Sequence, residues 1–362
     1  MISNLLIYMT LLFSCTPKSS PEANSFGLEI NKSSSDVSVQ DTTNNLKYTS
    51  GIRSILHDSK GNYWFGSHQE GVCIFNGESF TYFTIDDGLC DNQIRTIQED
   101  QDGVIWFGTG NGVSSYNEGI INKYTTRNAL TGLKTTIEGD WTLSDDDLWF
   151  NAGNKSGVCK FDGQVLSYLE FPIPGDGNTF NVYEVTGFSN GEKGNIWIAT
   201  YAAVFGYDGT TFEIIDDKQL GYIEESEMLH VRSILEDSKG NLWIGNNGIG
   251  VLVKSADSIT NFSRKHGLVQ SNILRMGDTS IAGTLEHVFA ITEDSDGHIW
   301  FGDRDTGAWI YDGKSMTNYT IDEKLKNKHV WEIYQDRNGE LLFAMAGGGV
   351  YKFNGELFER KY

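Results

Sequence analysis

Three histidines occupy the same position relative to the apolar segments that follow them. His230, His287 and His329 each directly precede a valine that begins such a segment, and Glu286 directly precedes His287. Imidazoles that converge with a carboxylate can hold a divalent metal ion such as Mg²⁺ or Zn²⁺, or act as general acid and base. The alternative is that each histidine hydrogen-bonds separately to its neighbouring loops, because equivalent positions in successive repeats can lie too far apart for one ion.

A second column of side chains lies one residue inside the same segments. It combines cations with aromatic rings, and its members are Arg53, Arg95, Tyr183, Arg232, Phe289 and Trp331. Guanidinium groups bind carboxylates through paired hydrogen bonds, and aromatic faces stack on sugar rings. The column therefore predicts a binding site for a sugar or a carboxylate. The alternative is that its stems pack between repeats while the arginine heads pair with nearby acids.

A repeat built around tryptophan positions both columns. Seven copies fill residues 51–362, with successive anchors 42 to 57 residues apart, at Trp64, Trp106, Trp149, Trp197, Trp243, Trp300 and Leu342. Each copy has the apolar alternation and the turn signals of four short strands. Four-stranded antiparallel units at this period are the signature of a β-propeller. The predicted fold is therefore all-β, a seven-bladed β-propeller of four-stranded antiparallel blades with tryptophans packed between blades; a solenoid or a sandwich is the alternative.

Short turns mark one face of the predicted ring, and long loops mark the other. Asp-x-x-Gly follows the first strand in five copies, as at Asp58, and Asn-Gly or Asp-Gly follows the third strand in five, as at Asn76-Gly77. Such turns close tight hairpins. The length variation falls on the opposite, top face, where 25 residues separate Phe262 from Val288. Because long loops on a rigid scaffold usually carry function, the top face is the candidate site.

The charge balance excludes several classes of partner. The chain has 28 Lys and Arg against 49 Asp and Glu, which gives a formal net charge of −21. Nucleic acids and anionic membrane surfaces both require a cationic face, so neither is expected to bind. No calcium loop with a full ligand series, phosphate-cradling glycine motif or paired-cysteine zinc pattern occurs in the sequence.

The N-terminal region predicts a targeting segment and a spacer before the propeller. Residues 5–13 form an apolar run of signal-peptide length, and it ends in Leu12-Phe13-Ser14-Cys15, which resembles the lipobox of bacterial lipoproteins. Residues 16–49 are rich in Ser, Asn and Thr. We therefore expect a lipoprotein signal peptide over 1–15 with Cys15 lipidated, a flexible tether over 16–49 and the propeller over 50–362.

Three cysteines follow Cys15, and an odd count cannot pair fully within one chain. Cys73 and Cys159 hold matching positions two repeats apart, which would place them in different blades. They are predicted to be buried, unpaired side chains.

The repeat resembles the two-component-regulator propeller repeat. The pattern I-x-x-I-x-E-D-x-x-G-x-x-W-F/I-G-T is closest at residues 99–109 and 236–245. The resemblance implies the periplasmic sensor half of hybrid signalling proteins, which detect small ligands that are often glycans. Unlike those proteins, the chain shows no kinase, regulator or DNA-binding segment, so we do not expect it to signal across a membrane alone.

The histidine column also resembles, more weakly, that of the streptogramin lyase propellers. These enzymes use histidines and a glutamate with a magnesium ion. The resemblance implies that His287 and Glu286, with His230 or His329, would be the catalytic counterparts.

Two functions follow from these patterns. The first is a cell-envelope lipoprotein, facing the periplasm or on the outer membrane, whose sensor-like propeller binds a small-molecule or glycan ligand, or an envelope protein, on its top face without catalysis. Contact with the membrane would be through the lipid anchor only. The second is a metal-assisted lyase or hydrolase that uses the histidine column.

Overall fold

Seven antiparallel sheets follow one another along the chain, as predicted for a seven-bladed propeller. The structure, a computed structural model, describes residues 28–29, 40–41, 45–124, 142–153, 155–173, 183–191, 193–221, 228–256, 258–270 and 278–362. Apart from one 3-10 turn (Ile85–Asp87), its helical elements are two single-turn helices, α1 (Asp217–Leu220) and α2 (Phe262–Lys265). Within these ranges, no helix has the length and apolar character that crossing a bilayer requires.

The strands are numbered in chain order. Two short strands, β1 (Leu28–Glu29) and β2 (Gln40–Asp41), precede blade 1, which comprises β3 (Ile52–His57), β4 (Tyr63–Ser67), β5 (Val72–Phe75) and β6 (Phe80–Phe83). Blade 2 comprises β7 (Ile94–Glu99), β8 (Ile105–Thr109), β9 (Gly112–Asn117) and β10 (Ile120–Tyr124). Blade 3 has three described strands, β11 (Leu148–Asn151), β12 (Gly157–Phe161) and β13 (Leu166–Glu170), and its predicted first strand lies outside the described residues.

Blades 4 to 7 each have four strands. Blade 4 comprises β14 (Val185–Asn190), β15 (Ile196–Thr200), β16 (Ala203–Tyr207) and β17 (Phe212–Asp216), and blade 5 comprises β18 (Val231–Glu236), β19 (Leu242–Asn246), β20 (Val251–Ser255) and β21 (Ser258–Asn261). Blade 6 comprises β22 (Val288–Glu293), β23 (Ile299–Asp303), β24 (Gly307–Tyr311) and β25 (Met316–Tyr319), and blade 7 comprises β26 (Val330–Gln335), β27 (Leu341–Met345), β28 (Val350–Phe353) and β29 (Phe358–Arg360).

The repeated tryptophans pack between neighbouring blades, as predicted. The ring of Trp64 in blade 1 lies 5.0 Å from that of Tyr116 in blade 2, and the ring of Trp300 in blade 6 lies 4.9 Å from that of Phe353 in blade 7. Both indoles are almost completely buried. These aromatic contacts hold blade 1 to blade 2 and blade 6 to blade 7.

The Asp-x-x-Gly turn fixes the tryptophan as well as the hairpin. In blade 5, Asp237 Oδ1 accepts from the backbone N–H groups of Lys239 and Asn241, and Oδ2 accepts from the indole of Trp243 at 2.8 Å. The same indole bond recurs in the pairs Asp58–Trp64, Asp100–Trp106 and Asp294–Trp300. One carboxylate thus positions both the turn backbone and the interblade ring.

Blade 7 closes the ring against blade 1. It has leucine at the anchor position, and its turn carboxylate, Asp336, accepts a hydrogen bond from the hydroxyl of Tyr63 in blade 1 instead. Leu342 shares a buried apolar cluster with Phe65, and the C-terminal Tyr362 ring lies 5.0 Å from that of Phe65. First strands of neighbouring blades contact each other from blade 4 round to blade 2, including β26 with β3. The described strand β11 of blade 3 contacts both β7 and β14, which completes the circle.

Parts of the predicted tether, residues 16–49, pack against the propeller. The fourth strand of blade 7 comes from the C-terminus, whereas β2 pairs with β6 and β1 with β10 as fifth, outermost strands of blades 1 and 2. Such pairing covers exposed sheet edges. Leu46 and Tyr48 are also only 4% and 6% exposed, because they fill the junction of blades 7 and 1. The folded region therefore begins before residue 50, while the predicted signal peptide 1–15 lies outside the described residues.

The three described cysteines are unpaired, as predicted. Cys73 and Cys159 are completely buried, and burial raises the pKa of both thiols above the usual range. They act as small apolar side chains, because a buried thiol does not form the reactive thiolate at neutral pH.

Candidate functional site

In the six blades whose first strand is described, that strand lines a central channel and carries one extra residue at its second position. In blade 1, Ile52 pairs with Ser67 and Ser54 pairs with Gly66, so Arg53 has no partner across the ladder. A bulge of this kind re-aims the side chain of the extra residue. It recurs in all six blades whose first strand is described, at Arg53, Arg95, Thr186, Arg232, Phe289 and Trp331.

Five of the six predicted column residues occupy this bulge, and Tyr183 does not. In blade 4 the position holds Thr186, and the ring of Tyr183 packs 5.9 Å from that of Phe205. The sequence pattern fits either position, because Val182 and Val185 can each serve as the apolar residue that precedes the column residue. Thr186 is therefore the site residue that the sequence pattern missed.

The five correctly placed residues share one cavity. It has a volume of about 410 Å³, and its walls include Arg53, Arg95, Arg232, Phe289 and Trp331. Blade 3 contributes to the same walls through β11, and blade 4 through Thr186 and its neighbours. The structure therefore gathers the predicted binding column around the channel. That the column binds a ligand stays a prediction.

Arg53 and Arg232 each lie against an aromatic ring. The guanidinium carbon of Arg232 is 4.4 Å from the ring centre of Phe289, and that of Arg53 is 5.4 Å from the ring centre of Trp331. Among the described residues, no carboxylate forms an ion pair with either arginine. This differs from the alternative reading of the sequence, in which the arginine heads pair with acids.

Arg95 fits that alternative reading. It forms an ion pair with Glu184, which belongs to blade 4, and its Nε donates to Gln93 Oε1 at 2.9 Å. Both side chains of the ion pair are more than four-fifths buried. Arg95 is thus held by an acid across the channel mouth, and its charge is largely neutralised.

The cavity is electropositive although the protein is strongly acidic. Burial and the neighbouring Arg95 and Arg232 guanidinium groups lower the pKa of Arg53 to about 10, so it stays charged at neutral pH. The same arginines, together with burial, lower the pKa of His68 at the channel mouth. Burial raises the pKa of Glu332, another wall residue, to about 8, so its carboxyl is neutral at pH 7.

The predicted histidine column occupies one structural position. The carbonyl groups of His230, His287 and His329 each accept a backbone N–H from the loop that follows the second strand of the same blade. The equivalent residue of blade 1 is Gly51, where an added Cβ would lie only 2.4 Å from the ring of Trp331. In blades 2 and 4 the equivalents are a glutamine and a glutamate, so the column is histidine only in blades 5 to 7.

The three imidazoles make separate contacts. His230 stacks on Tyr201, with ring centres 4.8 Å apart, and His287 Nδ1 lies 2.8 Å from Asn247 Oδ1. The ring of His329 lies 4.3 Å from that of Phe289. Burial lowers the pKa of all three, to about 4, 4 and 3 respectively, so they are neutral at pH 7. A neutral imidazole can act as a metal ligand or as a general base. Here, however, the three rings contact different residues: Tyr201, Asn247 and Phe289.

Glu286 and the histidines do not form a common metal site. The Glu286 carboxylate is fully buried and accepts from the backbone and side-chain amides of Gln270, which anchors the long crossover before blade 6. Within the described ranges, the one group of three potential ligands whose atoms lie within 4.8 Å of one another is Asp294, Asp296 and His298. That group belongs to a turn in which Asp294 already accepts from backbone N–H groups and an indole.

The sequence comparison recognises a repeat in three blades. Residues 88–111, 227–248 and 284–305 match the two component regulator propeller family, and these segments lie in blades 2, 5 and 6. No curated protein matches the chain in sequence. Of the remaining blades, 1 and 7 keep the Asp-x-x-Gly turn, and 1, 3 and 4 keep the tryptophan anchor.

Solved propellers resemble the whole fold. The extracellular domain of the putative hybrid two component system BT3049 from B. thetaiotaomicron superposes with a TM-score of 0.61 at 20% identity, over 85% of this chain and 39% of that chain. This protein thus spans about two fifths of that domain's length. Virginiamycin B lyase from Staphylococcus aureus superposes with a TM-score of 0.61 at 16% identity, over 87% of this chain and 98% of that chain.

Structural similarity at such low sequence identity establishes the fold. The function of the site has to be inferred from the residues of this chain. A WD40 propeller domain of Doa1 also superposes, with a TM-score of 0.55 at 12% identity over 91% of this chain and 98% of that chain. The chain is therefore a seven-bladed β-propeller, and its segments in blades 2, 5 and 6 match the two component regulator propeller family.

Proposed function

We propose that the protein is a non-catalytic binding propeller whose small-molecule ligand enters the central channel from the top face. The observation that carries this proposal is the cavity of about 410 Å³, on which charged and aromatic bulge side chains converge. Its volume lies within the roughly 300–1,000 Å³ typical of small-molecule sites. Aromatic faces with a few polar groups are also the usual lining of such sites.

The groups at the cavity suit binding better than catalysis. Arginine keeps its proton at neutral pH, so Arg53 and Arg232 can orient a ligand but cannot act as general bases. The histidines with the required chemistry are held by separate neighbours, and Glu286 is committed to Gln270. These contacts do not favour the alternative of a metal-assisted lyase or hydrolase.

A sensor-like role in the cell envelope fits the repeat. Two solved neighbours, BT3049 and BT4673, are extracellular domains of putative hybrid two component systems. We propose the corresponding task of ligand recognition for this chain, with Cys15 as the site of lipid attachment.

A cavity-filling variant tests the location of the site. A panel of sugars and small organic acids is first screened by thermal shift, since a bound ligand raises the melting temperature by mass action. Any hit is then titrated by calorimetry into the parent and into Thr186→Trp, whose indole occupies the channel. We expect its dissociation constant to rise at least tenfold.

Thr317→Trp is the matched control, because Thr317 lies exposed on the outer strand β25. It should bind the ligand as the parent does. Unchanged affinity in a folded Thr186→Trp protein would contradict the proposal, since the ligand would then lie outside the channel.

A further inference from the structure

The acids near the cavity do not balance its arginines. Three guanidinium groups contribute to its walls, and Glu184 pairs with only one of them, Arg95. The carboxyl among the wall residues, that of Glu332, is protonated at neutral pH because burial raises its pKa to about 8. Arg53 and Arg232 therefore leave about two positive charges uncompensated by the described residues.

The arrangement is electrostatically unfavourable without a counter-ion. Arg53 is close enough to Arg95 and Arg232 for both to lower its pKa, which is a direct sign of mutual repulsion. A protein with a net charge of −21 has many acids that could relieve this repulsion, yet Glu332 is the one acid among the described wall residues. Like charges held together in a concave site attract an ion of opposite charge.

The aromatic rings restrict the kind of anion. Phe289 lies beside Arg232, and Trp331 lies beside Arg53, so each cation adjoins a flat apolar surface. An inorganic anion would use the guanidinium groups and gain nothing from either ring. A ring that bears a carboxylate would use both kinds of group at once.

We propose that the ligand is a small ring-bearing organic carboxylate, with its carboxylate between Arg53 and Arg232 and its ring against Phe289 and Trp331. This inference rests on the proposed binding function and specifies its ligand class. Arg95 does not hold the carboxylate, since its own hydrogen bonds go to Glu184 and Gln93.

Matched pairs of charged and neutral probes test the inference. Glucuronate and benzoate are titrated by calorimetry against glucose and benzamide, which keep a comparable ring without the charge. The two charged probes distinguish a sugar acid from an aromatic acid. We expect at least one charged probe to bind at least tenfold more tightly than its neutral counterpart. The reason is that the neutral probe lacks the charged hydrogen-bonding group.

Two variants locate the carboxylate. Arg53→Met and Arg232→Met each keep an unbranched stem against the ring but remove the charge, and we expect each to raise the dissociation constant of the charged probe at least tenfold. Arg264→Met is the control, because Arg264 is exposed on α2, outside the cavity walls. Melting temperatures near that of the parent show that the variants are folded.

The outcomes separate this inference from the proposed function. Equal binding of charged and neutral probes, lost in Thr186→Trp, would overturn the carboxylate and keep the channel site. Binding of inorganic phosphate or sulfate with no binding of either carboxylate at 10-fold higher concentration would also overturn it. Absence of binding by both carboxylates, whatever else binds, rejects the proposed ligand class.

Discussion

Replacing Trp300 by alanine is expected to lower the free energy of unfolding by about 3–5 kcal/mol, the usual cost of truncating a buried aromatic residue. The indole of Trp300 is 1% exposed and lies against Phe343 and Phe353 of blade 7, with ring centres 5.3 and 4.9 Å away. The substitution also removes the indole donor to Asp294. Urea unfolding followed by circular dichroism measures the change.

Two further variants identify the cause of this loss. Trp300→Phe keeps an aromatic ring but removes the hydrogen bond, and about 1 kcal/mol of destabilisation is expected beyond any packing change. Trp331→Ala removes the same side chain from the half-buried channel wall, so it should cost clearly less than Trp300→Ala. Equal losses at Trp300 and Trp331 would contradict the assignment of the repeated tryptophans to interblade packing.

Replacing Glu332 by glutamine is expected to stabilise the protein at pH 8 and to have little effect near pH 4.5. Burial raises the pKa of Glu332 from 4.5 to about 8 in the folded protein, against the attraction of Arg53. Between these two values the folded protein retains a proton that the unfolded chain releases, so the stability of the parent falls as pH rises. Glutamine cannot ionise, and the gain at pH 8 is roughly 2–4 kcal/mol, since one pKa unit corresponds to about 1.4 kcal/mol.

Urea midpoints measured from pH 5 to pH 8 check this result. The difference between Glu332→Gln and the parent should grow steadily with pH, which separates Glu332 from other groups that titrate in the same interval. Glu356→Gln is the control, because Glu356 is exposed on the loop before β29. Parallel curves for the parent and Glu332→Gln would show that the channel wall does not keep this carboxyl neutral.

The blade pattern could be predicted from the sequence because it depends on local signals. The Asp-x-x-Gly turn and the tryptophan are six residues apart, and the bond from the Trp243 indole to Asp237 lies within one hairpin. Strand alternation and hairpin turns likewise depend on adjacent residues. Copy number and strand order follow from their repetition.

The site was predicted in part, because its geometry depends on features that residue types do not encode. Arg53 and Arg232 face the channel because each occupies the bulge at the second residue of a described first strand. Neither bulge residue is a glycine or a proline, the residue types that would have indicated a bulge in the sequence. In blade 4, valine occurs at both 182 and 185, so the sequence pattern indicates Tyr183 as readily as Thr186, which occupies the bulge. The repeat alignment predicts that the three histidines occupy equivalent positions before the first strands of their blades, as they do. It does not predict the distances between their rings.

Interblade contacts could not be anticipated from any single repeat. The Arg95–Glu184 pair joins blade 2 to blade 4, and the Tyr63 hydroxyl donates to Asp336 across the closure of the ring. Such pairs are far apart in sequence and become neighbours only once the circle has closed. The pairing of β1 and β2 with the outer edges of blades 2 and 1 is of the same kind.

A crystal of the protein soaked with 4-iodobenzoate shows whether an aromatic carboxylate occupies the channel, because the anomalous signal of iodine locates the ring. The account predicts a single strong peak in the channel beside Phe289 and Trp331, with the carboxylate density between Arg53 and Arg232. A second cavity of about 310 Å³ lies between blades 5 and 6, and Tyr311 is among the residues that line it. Iodine there, or elsewhere on the surface, with the channel unoccupied at a saturating concentration would contradict the account.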